Sequence, residues 1–406
     1  MDRSGVIDRS EAARGRLDRA TAHLDPPFAV VDADAFEHNA VALAGLAAGK
    51  PIRVASKSVR CRDLLREVLS RPGWRGVMSF TLAEALWLID GDVSNDILLG
   101  YPVADRTSLA RLCSNERYAN AVTLMVDSID QLDFIDSVCP PDGRPPLRIC
   151  LDLDASWRPL AAVHVGVRRS PLHSAAAVGA LAADVARRRG FRLVGLMSYE
   201  AHIAGLGDAP AGRPLYGAAI RRIQALSMPE LLGRRGAAVS AAREHADLEF
   251  VNGGGTGSVE FTASDPAVTE IAAGSGLFGP HLFDTYRGFT PAPAAAFALS
   301  VVRKPTPQIA TVLGGGWIAS GPPARDRVPL PVWPQGLSLL STEMAGEVQT
   351  PVSGKAAAAL TVGDRVWFRH CKAGELSEHV DRFALVHEGK TIGAAVTYRG
   401  EGKAFL

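Results

Sequence analysis

Three absences bound what this chain does. No stretch of its 406 residues reaches the length of a membrane span, and the first twenty mix Arg, Asp and Glu without an apolar leader-like run. Neither export nor anchoring is indicated. Charge of neither sign is in surplus: Lys+Arg of 44 against Asp+Glu of 43 leave a formal +1. That removes the electrostatic case for nucleic acid or an anionic membrane and favours a small-molecule partner. Cysteine is sparse, five in all, with no C-x-x-C pair, which argues against a disulfide framework and fits a reducing cytoplasm. Low-complexity sequence is missing apart from an enrichment in alanine.

What is present is an alternation. The length predicts two domains. From about residue 50 to 280, short β-rich runs alternate with helix-like segments, the pattern of repeated βα units around a parallel sheet. Eight such runs are read: 52–56, 76–80, 96–100, 122–127, 147–154, 193–200, 248–253 and 270–275. Eight parallel units predict a closed (α/β)8 TIM-like barrel, with amphipathic stretches at 62–70, 81–89 and 174–189 in its outer ring. After Phe289 the run Thr290-Pro291-Ala292-Pro293 punctuates the chain, and β-branched segments at 297–302, 308–313, 364–368, 382–386 and 391–398 read as a C-terminal β domain. Glu388-Gly389 marks a hairpin there. The expected division is a frayed N-terminus at 1–25, a barrel at 26–289 and a β domain at 290–406; the strand 28–31 fits either domain.

Chemistry in such a barrel gathers at the C-terminal ends of the strands, and phosphates often sit after the seventh and eighth. Here the seventh run ends in Gly253-Gly254-Gly255-Thr256-Gly257-Ser258 and the eighth in Ala273-Gly274-Ser275-Gly276. Consecutive residues without Cβ permit positive φ and close approach of backbone amides, and Thr256, Ser258 and Ser275 add hydroxyls, so the two loops together predict a phosphate cup. Lys57 ends the first run. A lysine after a strand is usually a plain surface residue. One partly desolvated beside Arg53 or Arg60 would instead have the depressed pKa that a Schiff base needs. An amine at one strand end and a phosphate cup at two others describe pyridoxal 5′-phosphate.

On these motifs the chain resembles the fold-type III pyridoxal phosphate enzymes, the alanine racemase-like group, and within it the branch of D-threonine aldolase and D-serine dehydratase. Arg53 and Lys57 sit as in that branch's R-x-x-x-K, with Ala55 replacing its usual histidine. Residues 152–158 resemble its D-x-G-x-x-R segment with the glycine lost and one residue inserted, which implies Arg158 against the cofactor ring. Residues 195–202 resemble G-x-x-x-Y-E-G-H, which implies Tyr199 beside the cofactor and His202 close to it as a base. Gly253 to Gly257 match the phosphate motif. Ala273 through Phe278 resemble the start of P-G-S-Y-x-F-x-D-x-Y, and Asp284 and Tyr286 its D-x-Y end four residues further on. The implied cofactor contacts are therefore Lys57, Arg158, Tyr199, Gly254, Gly255, Thr256, Gly257, Gly274 and Ser275.

The branch's divalent cation is held by a histidine and an acid or cysteine two residues later; the matching segment here is His370-Cys371-Lys372. Lysine stands where the second ligand belongs, and an ammonium repels a cation. The metal site is expected either to be rebuilt on His370 with Cys371 and Glu375 or to be lost, with the Lys372 ammonium in the ion's place. The implied activity is cleavage of a β-hydroxy D-amino acid to glycine and an aldehyde, with Lys57, His202, Lys372 and His370 as the acting residues. The alternatives, in order, are a D-serine or D-threonine dehydratase, an amino-acid racemase, for which the β domain offers Tyr398 alone in a segment unlike the racemase motif, and a non-catalytic cofactor carrier. A homodimer is implied as well.

Overall fold

The computed structural model describes residues 11–160, 162–372 and 374–406. Eight parallel strands close into a barrel. With β1 reserved for Phe28–Asp32, these are β2 (Ile52–Ala55), β3 (Trp74–Ser79), β4 (Ile97–Leu99), β5 (Val122–Val126), β6 (Leu147–Asp152), β7 (Phe191–Ser198), β8 (Phe250–Gly253) and β9 (Glu270–Ala273). They are the eight runs read from sequence. Closure occurs where β2 pairs β9 in the register Ile52↔Ile271 and Val54↔Ala273. The strands are apolar on both faces, as a barrel packed inside and helix-covered outside requires. Leu98, Met125, Cys150, Val194, Met197 and Phe250 fill the interior. Gly195 makes room for the Phe250 ring: a Cβ there would lie 2.3 Å from it.

Helices start where a side chain satisfies a first-turn amide. Thr81 accepts from the Glu84 N–H at 3.2 Å and opens Leu82–Asp90; Ser174 accepts from Ala177 at 3.2 Å and opens Ala175–Arg187. Helix Pro214–Arg243 is less apparent in the sequence, because Pro229 lies inside its 30 residues.

The second layer is a nine-stranded sheet. Its strands are β1, β10 (Ala295–Thr306), β11 (Ile309–Leu313), β12 (Leu330–Trp333), β13 (Ser338–Leu339), β14 (Gln349–Ser353), β15 (Arg365–Arg369), β16 (Arg382–His387) and β17 (Lys390–Val396). The β16–β17 hairpin turns at Glu388 and Gly389, with φ of 48° and 74°. Two boundaries differ from expectation. β1 runs antiparallel to β10 and parallel to β16, so it belongs to this sheet and not to a barrel domain beginning at residue 26. Of the segment expected to fray, residues 1–10 lie outside the described residues, while Glu11–Ala20 is a helix docked on the sheet. Trp367 Nε1 donates to Asp18 Oδ1 at 3.0 Å, and Arg365 donates to the carbonyls of Thr21 (3.1 Å) and Leu24 (2.6 Å) just beyond the helix. These contacts join distant sequence and leave no local signal.

Candidate functional site

A cavity of about 750 Å³ opens at the C-terminal ends of the barrel strands, in the size range of small-molecule sites. The β domain closes its far wall with Ser320, Arg327, Lys372 and Glu375. Lys57, Tyr199, Gly254, Gly255, Thr256, Gly274, Ser275 and Lys372 all line it; Arg158, His202, Gly257 and His370 do not.

Lys57 projects from the short turn after β2, and its ammonium donates to the Tyr101 hydroxyl at 2.7 Å. Burial pushes the Tyr101 phenol up, but Lys57 and Arg169 overcome it and bring the net value below the ordinary one. Arg53 does not serve as the cation beside Lys57. Its guanidinium is buried inside the barrel and paired with Glu270 and Asp96, each at 2.8 Å, so its charge is already met. Arg60 is paired with Glu378.

The glycine loops thin the wall, and two of their amides are already engaged within the protein. The Gly254 N–H donates to Glu200 Oε2 (3.1 Å), and the Gly255 N–H to Ser258 Oγ (3.2 Å). A Cβ on Gly255 would come 3.0 Å from the Tyr199 ring, and one on Gly274 2.7 Å from the Ala55 carbonyl. Gly254 adopts φ of 86°, which favours glycine. Hydroxyls add to the donors these loops offer an anion. Thr256 Oγ1 accepts from the Gly276 amide at 3.1 Å, which leaves its own hydrogen to give, and Ser275 stands beside it.

Beneath the loop lies a fully buried cluster that sequence reading passed over. Arg235 holds Glu200 at 2.9 Å and Asp265 at 2.7 Å, and its Nε donates to Ser198 at 2.7 Å. Glu200 in turn accepts from Gly254, Ser258 and Thr262. The Tyr199-Glu200 dipeptide thus places a ring in the cavity and a clamp behind it. A second buried network, Arg53–Glu270–Asn252, ends at the cavity, where Asn252 Oδ1 has no partner among the described residues.

Four expected residues require correction. Arg158 turns back to Asp154 and Ser156 (2.5 and 3.1 Å), on a loop pinned by the Trp157–Val165 bridge. The arginine of this loop that does reach the cavity is Arg169, lying over the rings of Tyr101 (5.6 Å) and Tyr199 (5.2 Å). The signal was available: Gly166-Val167-Arg168-Arg169 preserves the G-x-x-R spacing that Asp154 breaks. His202 occupies helix Ala201–Ala204, whose two alanines face the cavity. Its own ring is buried on the other side, where burial lowers its pKa and neither nitrogen has a partner among the described residues. Gly257 lines a separate cleft. His370 is buried edge-on against Phe278 at 6.2 Å, and burial, with Arg369 and His281, lowers its pKa to about 3.

An aldehyde cofactor with a phosphate fits this cavity: an amine at one strand end, hydroxyls and a close-packed glycine cradle at two others, and an unpartnered amide oxygen between. A divalent cation does not fit the segment that should hold one. His370 points into the core, Cys371 Sγ donates to the Asp326 carbonyl at 3.0 Å, and Lys372 brings a positive charge. No group of three or more His, Cys, Asp or Glu among the described residues could hold a metal ion. All five cysteines are free and buried.

A parallel barrel and a β sheet sharing one cavity is the alanine racemase-like architecture. The chain belongs to that family, which uses pyridoxal 5′-phosphate: residues 31–281 match the family described as Alanine racemase, N-terminal domain. It is 27% identical to a D-threonine aldolase of Arthrobacter sp. over 312 residues, 75% of this chain and 76% of the relative. Among solved structures, the D-threonine aldolase of Filomicrobium marinum superposes with a TM-score of 0.76 at 20% identity, covering 95% of this chain and 97% of the other. The D-threo-3-hydroxyaspartate dehydratase of Delftia sp. HT23 gives 0.71 at 17% identity, covering 92% and 97%. At these identities the solved structures speak to fold. Among the described residues no helix is long and apolar enough to cross a membrane.

Proposed function

We propose that the chain is a pyridoxal phosphate-dependent lyase that cleaves a β-hydroxy D-amino acid, of the D-threonine kind, to glycine and an aldehyde. The observation that supports it is the single cavity in which Lys57 and the two glycine loops are met by polar groups of the β domain. The cofactor, when bound, supplies a sink for the electron pair left at Cα. Lys57 would hold its aldehyde end. Thr256 and Ser275 would donate hydroxyl hydrogens to its phosphate, and the Glu200–Arg235 clamp keeps the loop behind them fixed. Arg169, laid on two tyrosine rings, gives the mouth a positive charge for the substrate carboxylate.

The β-hydroxyl needs a base, and His202 is turned away from the cavity. The polar groups that the β domain brings to its wall are the candidates for that work. They also argue against a mere carrier, for which a barrel suffices. A racemase needs acid–base groups on both faces of Cα. Tyr398, the one tyrosine beyond residue 290, is 1% exposed and donates to Glu84 at 2.8 Å, so it is not free to serve. A homodimer remains part of this reading and is checked by the mass in solution.

The test is reconstitution with the cofactor, borohydride reduction and peptide mapping, followed by D- and L-β-hydroxy amino acids assayed in parallel for aldehyde, ammonia and optical inversion. Label at Lys57 and aldehyde with glycine from the D-isomers are expected. Ammonia and a keto acid instead would establish the dehydratase, and a colourless protein or label elsewhere would refute the assignment.

A further inference from the structure

We propose, resting on the aldolase reading above, that the Lys372 ammonium and the Glu375 carboxylate act on the substrate's β-hydroxyl in place of the divalent cation, so that turnover requires no metal.

Both side chains line the cavity that contains Lys57, and both are fixed by one residue of the opposite loop. Lys372 Nζ donates to the Ser320 carbonyl (3.2 Å) and to Ser320 Oγ (3.1 Å), while the Ser320 N–H donates to Glu375 Oε1 (3.3 Å). An ammonium has three hydrogens, so one remains to give. Glu375 Oε2 is buried and has no hydrogen-bond partner among the described residues, an acceptor that a well-packed protein rarely leaves unmet. One unmet donor and one unmet acceptor at the same wall suit a hydroxyl, which both accepts and donates. The neighbouring residues reinforce the assignment: His370 lies in the core, and the Cys371 thiol is bound to a carbonyl.

In the cleavage the β O–H bond breaks and its proton passes to Glu375 Oε2. The oxygen pair forms the aldehyde C=O, and the Cα–Cβ pair moves to Cα. Charge gathering on the oxygen meets the remaining Lys372 N–H. Cα then takes one proton and Glu375 releases one, so glycine and aldehyde together balance the starting amino acid.

The experiment combines elemental analysis of the cofactor-loaded enzyme, turnover after exhaustive chelation, and the variants Lys372→Met, Lys372→Arg and Glu375→Gln. Expected are a metal content well below stoichiometric, turnover unchanged by chelator, and kcat reduced roughly a hundredfold or more in Lys372→Met and Glu375→Gln, the scale of positioned proton transfer. The absorbance of the Lys57-bound cofactor and the thermal midpoint should stay put in both, Lys372→Arg should recover part of the rate, and Glu375→Gln should lose the acidic limb of the kcat–pH profile. A stoichiometric ion whose removal abolishes turnover and whose return restores it overturns the proposal, as do variants that turn over like the wild type. A protein that fails to bind cofactor at Lys57 overturns the reading beneath it, a different failure that the absorbance reports before any rate is measured.

Discussion

Two arginines on one loop behave in opposite ways. Arg158 is held by Asp154 and Ser156, and Arg169 lies over two tyrosine rings at the cavity. Arg169→Leu should therefore raise the substrate KM about tenfold or more, the loss of one charge-assisted contact, whereas Arg158→Leu should leave KM near wild type. Steady-state kinetics on the two variants side by side checks this, and equal effects would contradict the placement. The same local logic governs Glu200. It and Arg235 are 0% exposed and satisfy each other, so Glu200→Leu leaves a guanidinium with one carboxylate partner fewer and the Gly254 amide unmet. Breaking such a buried pair costs about 3–5 kcal/mol. Chemical denaturation of the variant should show a loss of that order, together with weaker cofactor binding because the clamped loop is released.

Elements were legible to different degrees, for physical reasons. The eight barrel strands stand out as apolar runs because both faces are buried, and the helices at 62–69 and 82–90 because one face is. Strands β12 and β14 escaped because Pro331 and Pro351 sit within them, where a ladder donor is absent. Of the site, residues attached to a strand end were readable: Lys57, Tyr199 and the two glycine loops. Apart from Lys372, residues placed by a loop or by the second domain, such as Arg169 and Glu375, were not, because the sequence records neither the Trp157–Val165 bridge nor the approach of the loop at Ser320 to Glu375. The turn that joins these worlds is Gly374. Its φ is 89°, and a Cβ there would lie 2.2 Å from the Lys57 carbonyl oxygen. Gly374→Ala thus meets a backbone atom of the lysine turn and a left-handed conformation that disfavours a side chain by about 1–2 kcal/mol. The variant should fold, yet bind cofactor more weakly in an absorbance titration and turn over slowly; wild-type affinity would show that the two domains do not set the position of Lys57.

At the scale of the whole molecule, the first and last described segments are stitched into the body of the protein. Tyr398, near the C-terminus, reaches the barrel helix Leu82–Asp90 and donates to Glu84 at 2.8 Å, with its ring edge-on to Trp87. Burial raises the Glu84 carboxyl from 4.5 to about 7, against the lowering effect of the hydrogen bonds it receives. With the folded value above the unfolded one, its contribution to stability is full below about pH 4.5 and is lost as pH rises through about 7. The thermal midpoint of the wild type should fall over that window more than that of Glu84→Gln. The other end matters more for architecture. β1 lies between β10 and β16, with Ala29, Val30 and Val31 at 0–1% exposure. Cutting at the apparent linker near residue 290 would strip the second sheet of a central strand, exposing two unpaired edges and losing about 1.5–3 kcal/mol of apolar burial for each valine. Residues 290–406 alone should therefore aggregate or show no cooperative unfolding. Because the Asp32 amide already donates to the Ala294 carbonyl at 2.8 Å, joining residues 11–32 to 294–406 through a short turn restores that strand in its own register. The joined chain should regain a cooperative thermal transition by circular dichroism; a cooperative transition in 290–406 by itself would show that β1 is an accessory to the sheet and not part of its framework.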